Sequence, residues 1–150
     1  MISNQNNDLS KPLSVKAVVH DKRGRILLQK RDDNPAIMEP GRWGLFGGQL
    51  ENGETLEFAL ARELKEELNS SVGIIKNEIF RASSGTFGIV NVVILMECFE
   101  PDQSFILNEG QAYGWFYLDE LVELPLSVLV FQHLSNFLRL LAPIDSGVEA

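Results

Sequence analysis

Residues 48–68 read GQLENGETLEFALARELKEEL, and the fold turns on what the second half of this stretch does. Leu56, Leu60, Leu64 and Leu68 recur every four residues, which on a helix lines them along one buried stripe. Thr55 suits the N-cap, and Glu57 suits the first turn, where an acid meets the positive end of the helix. The spacing predicts a helix from about Thr55 to Leu68, introduced by the turn Glu51-Asn52-Gly53-Glu54. On that helix Glu63, Glu66 and Glu67 gather on one face. Their repulsion costs roughly up to 1 kcal/mol in sum when exposed. Either water screens them and Arg62 pairs with Glu66 as an ordinary surface ion pair, or something positive belongs there.

Outward from the helix, strands dominate. LSVKAVVH (13–20) and RILLQKR (25–31) flank Asp21-Lys22-Arg23-Gly24 and read as a hairpin. A loop bearing Pro and Gly, DDNPAIMEPGR, leads into the strand-like WGLFGG (43–48). Further strands are expected at about 73–82, across TFGIVNVVILMECFE (86–100), which is rich in β-branched residues, and at QAYGWFYL (111–118). After Pro125, LSVLVFQHLSNFLRLL (126–141) reads as one closing helix. Trp43 and Phe46 are expected to pack the core beneath the Gly-bearing loop. Strands outnumber helices and are unevenly interspersed with them, so the expected class is α/β or α+β. One domain over 12–142 is expected between flexible tails at 1–11 and 143–150.

The bulk properties narrow the function classes. A hydrophobic content of 45% with 23% charged residues is ordinary for a soluble globular protein. The formal net charge is −8, which argues against nucleic acid as a partner. It leaves an anionic small molecule open, because a bound divalent metal inverts the local field. No apolar run approaches the roughly 18 residues of a membrane span, and the start lacks the basic and apolar regions of a signal peptide. The lone Cys98 allows no internal disulfide and reads as a buried, inert thiol in an apolar strand. The expected location is the cytoplasm, with no membrane association. His20 and His133 have no ligand partners at a useful spacing.

The flanks of the acidic face carry a more specific signal. Gly48, five residues, Glu54, seven residues, then Arg62-Glu63-Leu64-x-Glu66-Glu67 resembles the signature of the Nudix (MutT-type) hydrolases, G-x5-E-x7-R-E-U-x-E-E-x-G-U. Its six fixed positions would arise by chance in such a chain with a probability on the order of 10⁻⁵. Asn69 and Ser70 depart from the end of the pattern, but Asn tolerates the left-handed conformation of a helix C-cap, and neither change removes a ligand.

The resemblance implies an α/β/α sandwich around a mixed β-sheet, with residues 48–68 as its loop–helix–loop. It implies that Glu63, Glu66 and Glu67, with the Gly47 carbonyl, hold Mg²⁺ or Mn²⁺. Glu54 and Arg62 would pair to brace the loop that starts at Gly48 against the helix. The segment LNEGQAYGWF resembles one that in MutT-like members brings a further carboxylate to the metal, here Glu109. Either Glu63 or Glu109 would be the catalytic base, with Glu63 preferred. Gln29-Lys30-Arg31 resembles a strand ending in an arginine that contacts substrate phosphate, so Arg31 is a substrate-binding candidate. Phe87 is a candidate for stacking on a base, against the plainer reading of a strand-end aromatic that packs.

The implied activity is cleavage of a diphosphate linkage in a nucleoside diphosphate joined to a group X. Segments that mark ADP-ribose, dinucleoside polyphosphate, NADH and coenzyme A hydrolases are absent. A MutT-like nucleoside triphosphate pyrophosphohydrolase, acting on an ordinary or modified nucleotide, is the expectation. A nucleotide-sugar or ADP-ribose pyrophosphatase and a non-catalytic nucleotide-sensing module are the alternatives. A homodimer is compatible with the resemblance.

Overall fold

The computed structural model describes residues 12–84, 88–100 and 102–141. Strands β1 (Leu13–His20) and β2 (Arg25–Lys30) come first, then β3 (Trp43–Gly44) and β4 (Phe46–Gln49). Helix α1 spans Leu56–Leu68, followed by β5 (Gly73–Ser84), β6 (Ile89–Cys98) and β7 (Ala112–Tyr117). A 3₁₀ turn (Leu118–Glu123) and helices α2 (Val128–Gln132) and α3 (Leu134–Leu141) close the described chain. None of the described helices is long and apolar enough to cross a membrane.

The sheet is mixed. β1 runs parallel to β6 in continuous register from Leu13↔Val90 to His20↔Glu97, while the other pairings between described strands are antiparallel. The strand order is β3-β2-β1-β6-β5, with β4 paired to β1 and β7 to β2. β1 and β2 meet only at His20↔Ile26. Below that point β1 pairs β4 from Ser14↔Gln49 to Ala17↔Phe46, and β2 turns to β7.

The period-two alternation of β1 sorts its side chains to two cores. Val15, Ala17 and Val19 join Leu56, Leu60, Leu64 and Leu68 of α1 on one face. Val18, with Ile26, Leu28 and Val93, meets Leu121, Leu126, Val130 and Phe137 on the other. The fold is the mixed sheet between helical layers that the sequence led us to expect. The leucine stripe of α1 is fully buried, worth about 1.5–3 kcal/mol for each side chain as an upper figure. The Thr55 hydroxyl accepts the Phe58 N–H at 3.1 Å. At the far end Asn69 takes φ 54, ψ 38, and its N–H returns to the Lys65 carbonyl.

Two expectations need correction, and one element was unforeseen. WGLFGG is two strands parted at Leu45, because Trp43 and Gly44 pair with β2 whereas Phe46–Gln49 pair with β1. The closing helix is broken: α2 ends at His133, whose backbone sits at φ -113, ψ 19 and whose ring stacks on Phe80 at 4.5 Å between centroids. The 3₁₀ turn was not expected. The Glu120 carboxylate accepts the Tyr117 N–H at 2.7 Å to start it, and Leu121 anchors it in the core.

Candidate functional site

The site begins where β4 leaves β1. Gly47 has φ +134, and a Cβ there would lie 2.0 Å from the Val15 carbonyl oxygen, so no other residue fits without moving the central strand. At Gly48 the constraint comes from the acids: an added Cβ would lie 2.5 Å from the Glu63 carboxyl carbon. The two glycines let the loop backbone sit directly against carboxylates from α1. The Gly47 N–H donates to Glu67 Oε1 at 3.1 Å.

Arg62 holds the loop to the helix from beneath. Its Nε and Nη2 grip Glu54 Oε2 and Oε1 at 2.7 and 2.8 Å, the forked geometry of a strong guanidinium–carboxylate pair. Nη2 also donates to the Gln49 carbonyl at 3.1 Å, and Nη1 to Glu63 Oε2 at 3.1 Å. The pair of Arg62 with Glu66 is looser, at 3.4 Å to either oxygen. The Arg62 guanidinium, with the Glu51 N–H, holds the Glu54 carboxyl well below the usual range, at about 2.

Glu67 is only 5% exposed. Burial away from water pushes its carboxyl up to about 8; nearby Lys16 and the Gly47 N–H oppose the shift, and Glu63 and Glu109 add to it. Burial raises Glu63 too, against the pull of Arg62. The counter-charge inside the cluster is Lys16, whose ammonium donates to the Gly47 carbonyl at 3.3 Å. Desolvation lowers its own pKa.

Among the described residues no three Asp, Glu, His or Cys side chains stand together at ligating separations. Glu63 and Glu67 line the cavity, whereas the Glu66 side chain is 50% exposed and leans on Arg62. The available donors are nonetheless hard carboxylate and carbonyl oxygens, the set that Mg²⁺ and Mn²⁺ take. A carboxyl whose proton affinity is raised by burial, Lys16 offsetting it only in part, suits such a cation.

The cavity of about 480 Å³ is lined by Glu63, Glu67, Glu109, Lys16, Arg31 and Ser14, among others. The segment around Glu109 is docked at both ends. Asn108 donates from its N–H to the Glu67 carbonyl at 2.8 Å and from its amide to the Glu66 carbonyl at 3.1 Å, capping the end of α1. Gln29, on β2, donates to the Glu109 carbonyl at 2.9 Å. Gln111 ties to the Lys30 and Arg31 carbonyls. The Arg31 Nε donates to the Met38 carbonyl at 2.7 Å, and both residues line the cavity.

Of the residues singled out from the sequence, Gly47, Gly48, Glu63, Glu67, Glu109 and Arg31 border one cavity. Glu54 and Arg62 form their pair outside it. Phe87 lies outside the described residues. Lys16, Gln29 and Asn108 were missed. Lys16 had a signal, a lysine in the middle of the apolar strand LSVKAVVH. Gln29 and Asn108 had none, because their partners lie 80 and 42 positions away.

Comparison with known proteins bears on the family and the fold. The family model for the NUDIX domain matches residues 10–136. The nucleoside triphosphatase NudI of Escherichia coli O139:H28 is 30% identical over 116 residues, 70% of this chain and 82% of the relative. A MutT NUDIX hydrolase from Burkholderia pseudomallei superposes with a TM-score of 0.67 at 29% identity, covering 83% of this chain and 95% of that one. The NUDIX domain of Shewanella oneidensis NrtR, solved with ADP ribose, shares the fold at a TM-score of 0.70 and 23% identity, over 91% and 95% of the two chains.

Proposed function

The chain belongs to the NUDIX family, and from that premise we propose that it hydrolyses a nucleoside triphosphate to the nucleoside monophosphate and pyrophosphate. The observation that carries the reading is the convergence of Glu63, Glu67 and Glu109 with the Gly47-Gly48 backbone on one cavity that also holds Arg31. The nucleoside triphosphate is favoured by the relative NudI, a nucleoside triphosphatase.

Glu63, Glu66, Glu67 and Glu109, with the Gly47 carbonyl, would hold Mg²⁺ or Mn²⁺. The chemistry such a cation supplies when bound is neutralisation of the acids, clamping of phosphate oxygens and acidification of water. The rest falls to the chain. Arg62 occupies Glu63 Oε2, so Oε1 is the atom placed to take a proton from the attacking water. Burial raises the proton affinity of Glu63, which suits a general base. The water oxygen joins phosphorus as one P–O anhydride bond breaks, and pyrophosphate leaves with the bonding electrons. Arg31 spends Nε on Met38 and keeps its Nη groups for phosphate oxygens. Gln29 and Asn108 hold the backbone on which Glu109 is mounted.

The test is product release with Mg²⁺ or Mn²⁺ across nucleoside triphosphates, oxidised nucleotides, nucleotide sugars and ADP-ribose. Glu67→Gln is the control and should lose more than about 100-fold in kcat/KM, beyond the loss typical of groups that only orient a metal ligand. Tight binding of a panel member without turnover of any would replace the hydrolase with a sensing module.

A further inference from the structure

The Lys16 ammonium occupies an unusual position. It rises from the central strand β1 and donates at 3.3 Å to the Gly47 carbonyl, the same oxygen assigned above to a divalent cation. Glu67 and Glu63 act on it as opposite charges, and Arg31 as a like charge. An ammonium and a divalent cation cannot share that carbonyl, since like charges so close repel strongly outside bulk water. The Lys16 stem is flexible, and the cavity beside it is open. Ser14, two residues back on the same face, shows no side-chain hydrogen bond among the described residues while being 3% exposed. The floor beside Lys16 is thus polar and unclaimed, a place for a displaced ammonium to turn.

We propose that Lys16 is a built-in stand-in for the metal: its ammonium holds the Gly47 carbonyl and offsets Glu67 in the metal-free protein, and a divalent cation must displace it. The proposal rests on reading the acidic cluster as a metal site. It makes metal binding a competition within the chain, so that the loop geometry is preserved before the metal arrives at some expense of metal affinity.

Mn²⁺ titration followed by electron paramagnetic resonance, on the metal-free full chain, tests this directly. Lys16→Met keeps the stem and removes the charge. It should bind Mn²⁺ at least about fivefold more tightly than the wild type, the low end of couplings between sites that share groups. Without metal it should melt at a lower temperature than the wild type, and saturating Mn²⁺ should narrow that gap. Lys16→Gln serves if the methionine variant does not fold, with the same expectation. Merely structural damage would weaken Mn²⁺ binding or leave it alone, not tighten it. Equal or weaker affinity in the folded variant overturns the stand-in while leaving the metal site intact. No Mn²⁺ binding in wild type or variant, matched by Glu67→Gln, overturns both.

Discussion

At the scale of single residues, the two glycines of the loop make a sharp contrast. At Gly47 an added methyl meets Val15 backbone at 2.0 Å and the left-handed φ of +134 forbids easy relief. Gly47→Ala should therefore cost stability, about 2 kcal/mol or more, as strained backbone positions do. At Gly48 the nearest atoms to the methyl are those at the end of the Glu63 side chain, which can swing away. Gly48→Ala should keep its melting temperature within a few degrees and lose activity instead, because Glu63 is pushed off its station. Parallel thermal melts and kcat/KM values separate the two.

The brace gives a pH prediction at the same scale. The Glu54 carboxyl is held at about 2 in the fold, against about 4.3 for an unperturbed glutamate. The unfolded chain binds more protons in between, so stability rises with pH across that window. The contribution is complete above the unfolded pKa and is lost as pH falls from about 4.3 to about 2. Urea midpoints should drop across that range more steeply in the wild type than in Glu54→Gln, in which the group does not titrate. Identical slopes would mean that the Arg62 pair adds nothing to folding.

At the scale of elements, a strand side chain and the end of a helix together hold the backbone at Glu109. Asn108 caps α1 through the Glu66 and Glu67 carbonyls, and Gln29 fixes the Glu109 carbonyl from β2. The buried Gln29 amide has its partner on this loop, so its removal should loosen Glu109 rather than the core. Gln29→Ala or Asn108→Ala should lower kcat by about 10-fold, the lower range for groups that orient a metal ligand. A KM effect alone, with kcat untouched, would show that the segment serves substrate binding instead. The same scale explains why α1 was readable in advance. Its leucine stripe, Thr55 cap and Asn69 exit are local signals, and all three act within the helix or one residue beyond it. The split of residues 43–48 into β3 and β4 was not readable, since it depends on which neighbour each half meets across the sheet.

At the scale of the whole molecule, the sheet couples its two cores. β1 contributes Val15, Ala17 and Val19 to one and Val18 to the other. The broken C-terminal helix belongs to the same unit, because Phe137 is fully buried against the face that carries Val18 and Val93. Phe137→Ala should cost about 3–5 kcal/mol, in a single unfolding transition read alike by circular dichroism and by tryptophan fluorescence. Two separated transitions would show that the C-terminal helices form a layer of their own.

The sequence alone determined the chemistry's raw material: the acids of α1 at helical spacing, the arginine and glutamate at the distance that lets them pair, and the glycines ahead of them. Such features follow from periodicity and fixed offsets along a short stretch, so they need no knowledge of the remainder of the chain. Only the tertiary structure decided what stands opposite those acids. Lys16, Arg31 and Glu109 reach one cavity because β1 and β2 part after His20↔Ile26 and because the 107–111 segment is tied to both α1 and β2. It also decided that Glu67 is buried and Glu66 is not, although they are neighbours in the chain. Burial depends on the sheet a helix face packs against, and charges separated by dozens of residues share a field only once the chain has closed around them.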